Sequence, residues 1–150
     1  MSEERHEFRV STLWSGTSDG DGIARTSGGE MAFGVPEQLG GAPGRTNPEE
    51  MLLAAVASCY VITLALLAER RRLAPPRIEM AATAFVVRLP DRTLKYESIS
   101  LAPRIVVTGG DATQRDAYLD IAQRAERYCL VSNAIRGNVA IHLEPEVVFD

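Results

Sequence analysis

The sequence has few of the residues that crosslink a chain, bind metals or stack on rings. Its 150 residues include two cysteines, two histidines and one tryptophan, and aromatic residues make up 6%. Two cysteines do not form a disulfide framework, and a chain of this length buries roughly 70% of its unfolded surface without crosslinks or metals. His6 and His142 form no metal-ligand spacing with either cysteine, so we expect no metal site.

Positive charge is also scarce. The formal net charge is -4 and the basic residues are scattered, which gives no broad positive field for nucleic acid. The first ten residues, MSEERHEFRV, include acidic residues and no apolar run, unlike a secretory signal. The longest apolar stretch, residues 51–68, is interrupted by polar side chains, so a buried helix explains it better than a membrane span. We therefore expect one domain over residues 1–150, in a reducing cytoplasm, without nucleic-acid or membrane partners.

The order of apolar, charged and turn residues predicts an α+β fold, with antiparallel strands covering at least one long helix. A segment rich in glycine and proline, residues 34–45, is expected to be an ordered loop. The expected strands are residues 7–14, 22–26, 77–88, 94–107 and 138–149, and the third and fourth form a long hairpin. Besides the long helix, helices are expected over residues 111–128 and 129–137.

The long helix contains the stretch LAAVASCYVITLALLAERR, residues 53–71, which looks like the most buried segment of the chain. Thr46 and Asn47 can cap its start, and Pro48 suits the first turn. Two prolines stop it after about five or six turns. The positions spaced by three and four, which we expect to face the core, are Leu52, Ala55, Val56, Cys59, Ile62 and Leu66.

The two cysteines fall where a thiol could either pack or react. Cys59 lies in the middle of the long helix, and Cys129 lies near the start of a short one, where free amides favour a thiolate. A single cysteine in an apolar helix is usually a packing residue. Because these are the two cysteines of a short chain, packing and redox chemistry are about equal alternatives on this ground.

Two segments that contain these cysteines carry paired motifs. They are VPEQLGGAPGRTNPEEMLLAAVASCY, residues 35–60, and AERYCLVSNAIRGNVAIHLEPEV, residues 125–147. Together they resemble the signature regions of the OsmC/Ohr family, which is named after osmotically inducible protein C and organic hydroperoxide resistance protein. The resemblance covers most of the chain, with the motifs in the order that the family has.

The resemblance implies an OsmC-like α+β fold, built as an intertwined homodimer in which antiparallel sheets cover long central helices. It also implies thiol-dependent reduction of organic hydroperoxides to alcohols, at active sites in the subunit interface. Cys59 then matches the cysteine that attacks the peroxide, Cys129 the resolving cysteine, and Glu49 the carboxylate of the TNPE segment. Cys59 would become a sulfenic acid and condense with Cys129, and an external dithiol, of lipoyl type or another small one, would reduce the disulfide. No bound cofactor is implied.

The sequence departs from the family pattern where the family has an arginine beside the reactive thiol. In the family, that arginine lies either in the N-terminal hairpin loop or in the loop before TNPE, and this sequence has no arginine at either corresponding position. The residues found there are Thr17 or Ser18, and Gln38 or Leu39. Arg25 and Arg45 are the nearest substitutes, and Leu130 replaces the proline that usually follows the second cysteine. Without a nearby cation the pKa of Cys59 would be higher and its attack slower.

Glu49 has an open role. First-turn glutamates usually complement the helix dipole, and in a straight helix Glu49 lies about 15 Å along the axis from Cys59. Either the helix bends or Glu49 acts elsewhere.

Two alternatives to a peroxidase follow from these departures. One is a noncatalytic binding or redox-sensing dimer that keeps the fold and the thiols but lacks the arginine. The other is an orphan α+β domain in which both cysteines only pack.

Overall fold

The computed structural model describes residues 3–150, so the first two residues of the predicted 1–150 domain lie outside the described part. The chain divides into two compact units, Met1–Leu52 and Leu53–Asp150, and each unit has its own sheet. The boundary falls within the first helix.

The first unit contains a three-stranded antiparallel sheet of β1 (Ser11–Ser15), β2 (Asp21–Thr26) and β3 (Gly29–Phe33), in that order. The predicted strand over residues 7–14 is wrong in its start, because pairing with β2 begins at Ser11. The second strand was predicted over residues 22–26, and β2 begins one residue earlier, at Asp21. Strand β3 was not predicted from the sequence, because its short GEMAF segment begins at the second of two adjacent glycines and carries little alternation.

A loop and the first turn of a capped helix complete the first unit. The expected ordered loop contains one short helical turn, Glu37–Leu39, and no longer regular element. Helix α1 spans Pro48–Arg70. Asn47 caps it, since its side-chain oxygen accepts a 2.8 Å hydrogen bond from the backbone N–H of Glu50. The predicted helix start is confirmed.

The second unit is built on a mixed sheet. Strand β4 (Arg77–Arg88) and strand β5 (Leu94–Val107) form the predicted antiparallel hairpin. The single strand expected over residues 138–149 is wrong: the segment forms two strands, β6 (Ala140–Leu143) and β7 (Glu146–Phe149). Both pair with β5 in parallel, so the sheet is not purely antiparallel. The parallel pairing is possible because two helices cross over between β5 and β6.

Those helices are α2 (Arg115–Tyr128) and α3 (Leu130–Ile135), close to their predicted positions. The core of the second unit lies between β5, α2 and the part of α1 that belongs to it. Two buried tyrosines tie the layers together by hydrogen bonds. The Tyr60 hydroxyl donates to the Ala122 carbonyl at 3.0 Å, and the Tyr118 hydroxyl donates to the Ala74 carbonyl at 2.8 Å.

Helix α1 buries one stripe rather than its whole surface. Its fully enclosed side chains are Val56, Tyr60, Leu64 and Ala68. The expectation that Ile62 and Leu66 face the core is wrong in this chain, because they are 60% and 47% exposed. The helix is apolar on all sides, so the spacing of its apolar residues could not select the buried face.

Helix α1 is also long and apolar enough to cross a membrane, by length and composition alone. One such helix is weak evidence for a span, since the core helix of a soluble protein passes the same test. Here four of its side chains belong to the core of the second unit.

We expect Tyr60→Phe to destabilise the protein by about 1–2 kcal/mol, because the variant removes a buried hydrogen bond between α1 and α2. Tyr128→Phe is the matched control. That side chain is 64% exposed, so loss of its hydroxyl should change the free energy of unfolding little. Urea unfolding followed by circular dichroism measures both. Equal unfolding midpoints for the two variants would contradict the expected role of the Tyr60 hydroxyl.

Candidate active site

The structure brings the two cysteines together, although 70 residues separate Cys59 from Cys129 in the sequence. Cys129 has an extended backbone between α2 and α3, and it is fully buried. Its sulfur lies 3.9 Å from the carbonyl oxygen of Val56, one turn before Cys59 on α1. The thiol of Cys129 therefore packs against the part of α1 that carries the other thiol.

Cys59 is half-buried and surrounded by hydrogen-bond donors. Burial raises the pKa of Cys59, but the backbone N–H of Val131, the thiol of Cys129 and the backbone N–H of Leu130 lower it, with a further contribution from the Thr63 hydroxyl. The donors outweigh the burial, so the pKa of Cys59 lies below that of an ordinary thiol. The groups that favour this thiolate are all uncharged dipoles of the second unit.

Cys129 has the opposite character. Burial raises its pKa, hydrogen bonds from Ser132 lower it, and the neighbouring Cys59 raises it further, so that the net shift is upward. When one proton is lost from the pair, Cys59 therefore carries the charge and Cys129 keeps its hydrogen. This distribution of charge suits a nucleophilic thiol, which reacts as the thiolate, beside a resolving thiol that keeps its proton until it is needed.

The two predicted arginines lie in the first unit, each beside a carboxylate. The Arg25 side chain donates to Glu30 at 2.6 Å on the exposed face of the small sheet. Arg45 is more enclosed, with a side chain 17% exposed. Its guanidinium donates to the carbonyl of Gly20 at 2.9 Å and pairs with Asp21, at the turn between β1 and β2.

Glu49 lies in the first turn of α1 and is half-buried. It belongs to the first unit, whereas Cys59 belongs to the second. Its assignment as a site residue stays a prediction. Among residues 3–150, no group of three or more histidine, cysteine, aspartate and glutamate side chains could hold a metal ion.

Four contributors to the thiol site were not predicted from the sequence, and one of them is the hydroxyl of Thr63. Leu130 and Val131 act through their backbone amides, which no side-chain motif reveals. Ser132 is fully buried, and its N–H donates to the Cys129 sulfur at 3.4 Å. The available signal was the position of Cys129 before a short helix, since a residue there can accept from the amide three positions later.

Comparison with known proteins identifies the family of the chain. The family model described as OsmC-like protein matches residues 40–144, which is more than half of the chain. The chain belongs to the OsmC-like family. This membership confirms the resemblance to OsmC and Ohr proteins and the OsmC-like α+β fold, so the domain is not an orphan.

Three members of the OsmC-like family illustrate the similarity. The uncharacterized protein YmaD of Bacillus subtilis is 33% identical over 95% of each chain. The organic hydroperoxide resistance protein of Xanthomonas axonopodis pv. citri is 26% identical, over 95% of this chain and 96% of its own. A solved OsmC-like protein of unknown function from Vibrio cholerae superposes with a TM-score of 0.82 at 15% identity, over 94% of this chain and 99% of its own. This last similarity supports the fold alone.

We expect Cys59 to ionise at lower pH than Cys129, because donors lower the pKa of Cys59 whereas burial raises that of Cys129. As pH rises, alkylation by iodoacetamide should therefore appear first at Cys59, as measured by peptide mass spectrometry. Cys129→Ala removes one donor and should therefore raise the pKa of Cys59. Modification of Cys129 before Cys59 would contradict the assignment.

Proposed function

We propose that this OsmC-like protein is a thiol-dependent peroxidase that reduces organic hydroperoxides to alcohols. The observation that supports this most is the adjacent pair of cysteines with opposite pKa shifts, the pKa of Cys59 lowered by donors and that of Cys129 raised by burial. The relative from Xanthomonas axonopodis pv. citri, which is named for organic hydroperoxide resistance, supports the same substrate class.

The first step is the attack of the Cys59 thiolate on the peroxide. A sulfur–oxygen bond forms at the distal oxygen, the oxygen–oxygen bond breaks, and the alkoxide that leaves takes a proton to become the alcohol. Cys59 is oxidised to a sulfenic acid and the peroxide is reduced. The partial exposure of Cys59 supports this role, because an external substrate must reach the sulfur.

The second step joins the two sulfurs. The Cys129 sulfur attacks the Cys59 sulfenic acid, water leaves, and a disulfide forms. An external dithiol of lipoyl type or another small dithiol then reduces the disulfide through a mixed disulfide, and is itself oxidised to a disulfide. The protein needs no bound cofactor in this scheme.

Arg45 is the better candidate for the missing arginine of the family. It is more enclosed than Arg25, and it contacts Gly20 and Asp21 at the N-terminal hairpin turn, the region where the family has an arginine. A guanidinium near the thiolate would stabilise it and orient the peroxide. We also propose Glu49, the carboxylate of the TNPE segment, as a residue of the active site.

We also propose that the protein works as a homodimer in the cytoplasm. Large apolar side chains are exposed on both units, which fits a surface that another copy of the chain covers. These exposed side chains include Phe8, Val10, Leu13, Ile62 and Leu66.

We expect the reduced protein with a dithiol to consume cumene hydroperoxide, and Cys59→Ser to lose this activity, because serine cannot form the sulfenic acid. Cys129→Ser is the matched variant. It should keep the first turnover, accumulate oxidised Cys59 and fail to cycle, since no disulfide forms. Consumption by the native chain no faster than by Cys59→Ser would refute the proposed reaction.

One observation favours the alternative of a noncatalytic binding or redox-sensing dimer. Arg25 and Arg45 each pair with a carboxylate of the first unit, Glu30 and Asp21 respectively, so their charges are already compensated. The alternative and the peroxidase therefore differ in whether either arginine matters for oxidation of Cys59.

For the peroxidase, Arg45→Ala should slow oxidation of Cys59 by about tenfold, because a fixed cation beside the reacting atoms is lost. Arg25→Ala should change the rate of Cys59 oxidation little, because the exposed ion pair of Arg25 with Glu30 contributes little interaction energy. Asp21→Asn is the control that breaks the ion pair but keeps the Arg45 charge, and it should not slow the reaction. Rapid quenching and mass spectrometry measure thiol loss, and an unchanged rate in Arg45→Ala would favour the noncatalytic dimer.

A further inference from the structure

Ser132 is a fully buried polar residue that the proposed reaction has not yet used. Its hydroxyl oxygen has no hydrogen-bond partner among residues 3–150. Buried hydroxyls are rarely left in this state, because a lost hydrogen bond to water is not replaced. An unpaired donor in a closed site therefore suggests a partner that appears only in another state of the protein.

The neighbouring group that can supply this partner is the sulfur of Cys129. The backbone N–H of Ser132 already donates to this sulfur at 3.4 Å, which fixes the serine beside it. The Ser132 side chain also lowers the pKa of Cys129, against the larger effect of burial. The hydroxyl and the amide thus act on the same sulfur atom.

Cys129 must carry negative charge twice in the proposed cycle. It attacks the sulfenic acid as a thiolate, and it leaves as a thiolate when the disulfide is reduced. The second event follows from exposure, because Cys129 is fully buried and Cys59 is not, so an external dithiol reaches the Cys59 sulfur first. A leaving thiol of high pKa departs slowly, which makes stabilisation of this buried charge important.

We propose that Ser132 is a positioning residue for the resolving thiol, and that its buried hydroxyl is held to donate to the Cys129 thiolate in both steps. This inference rests on the proposed peroxidase function.

In the first of these steps, the Cys129 thiolate forms a sulfur–sulfur bond with Cys59, and the sulfur–oxygen bond of the sulfenic acid breaks. The hydroxide that leaves takes a proton to become water, so Cys59 is reduced and Cys129 is oxidised. In the second, a thiolate of the dithiol bonds to the Cys59 sulfur and the Cys129 thiolate leaves. The second thiol of the reductant then closes its own disulfide and releases Cys59. In both steps the Ser132 hydroxyl donates without losing its proton.

The first test measures the pKa of Cys129 itself, in the Cys59→Ser background, by the pH dependence of its alkylation. Adding Ser132→Ala should raise this pKa by about one unit, because one donor to the thiolate is lost. Adding Ser58→Ala, which removes an exposed hydroxyl from α1, should leave it unchanged. An unchanged pKa in Ser132→Ala would overturn the proposal, and this readout needs no peroxidase activity.

The second test separates the half-reactions in the chain with both cysteines. Ser132→Ala should leave the peroxide-dependent oxidation of Cys59 near the native rate, but slow disulfide formation and reduction by a small dithiol about threefold each. Ser132→Thr, which keeps the hydroxyl, should restore the pKa of Cys129 if it folds, as circular dichroism shows. Native rates of both disulfide steps in Ser132→Ala would overturn the proposal. Failure of the native chain to oxidise with peroxide would instead refute the proposed function.

Discussion

The contact of the end of α2 with the middle of α1 determines where the chemistry of the second unit lies. Tyr60 is buried on α1 and donates to the backbone of Ala122 on α2, so the last turns of α2 are tied to α1. The chain then leaves α2 at Cys129, whose sulfur faces the Val56 carbonyl. The meeting of two distant cysteines is thus a consequence of core packing, and it does not depend on a loop that could adopt many positions.

The same packing sets the unequal acidity of the two thiols. Burial alone disfavours both thiolates, since a charge loses its hydration in an apolar interior. The pKa of Cys59 is nevertheless lowered, because α3 begins beside it and the backbone amides of Leu130 and Val131 donate to its sulfur. Cys129 sits deeper and keeps its proton. One turn of backbone therefore supplies to one thiol the stabilisation that many reactive cysteines obtain from a basic side chain.

Elements with strong local signals were predicted correctly from the sequence, whereas features that depend on tertiary contacts were not. Asn47 and Pro48 marked the start of α1, and the β-branched runs marked the hairpin of β4 and β5, because these signals are properties of neighbouring residues. The break between β6 and β7 was missed, although Glu144 and Pro145 interrupt the apolar residues of the segment from 138 to 149. The thiol site was predicted through its two cysteines, but its backbone donors leave no trace in a side-chain pattern.

The burial of α1 shows why one chain gives an incomplete basis for such a prediction. A helix that packs on one side only would carry polar residues on the other, and its apolar spacing would reveal the buried face. In α1 the face opposite the core also carries large apolar side chains, including Ile62 and Leu66, which a lone chain would expose to water at a cost. An all-round apolar helix is consistent with two covering surfaces, one from its own sheet and one from a second copy. For the proposed peroxidase, Cys59 thus combines an apolar helix, which suits an apolar peroxide, with the hydrogen-bond donors of Leu130 and Val131.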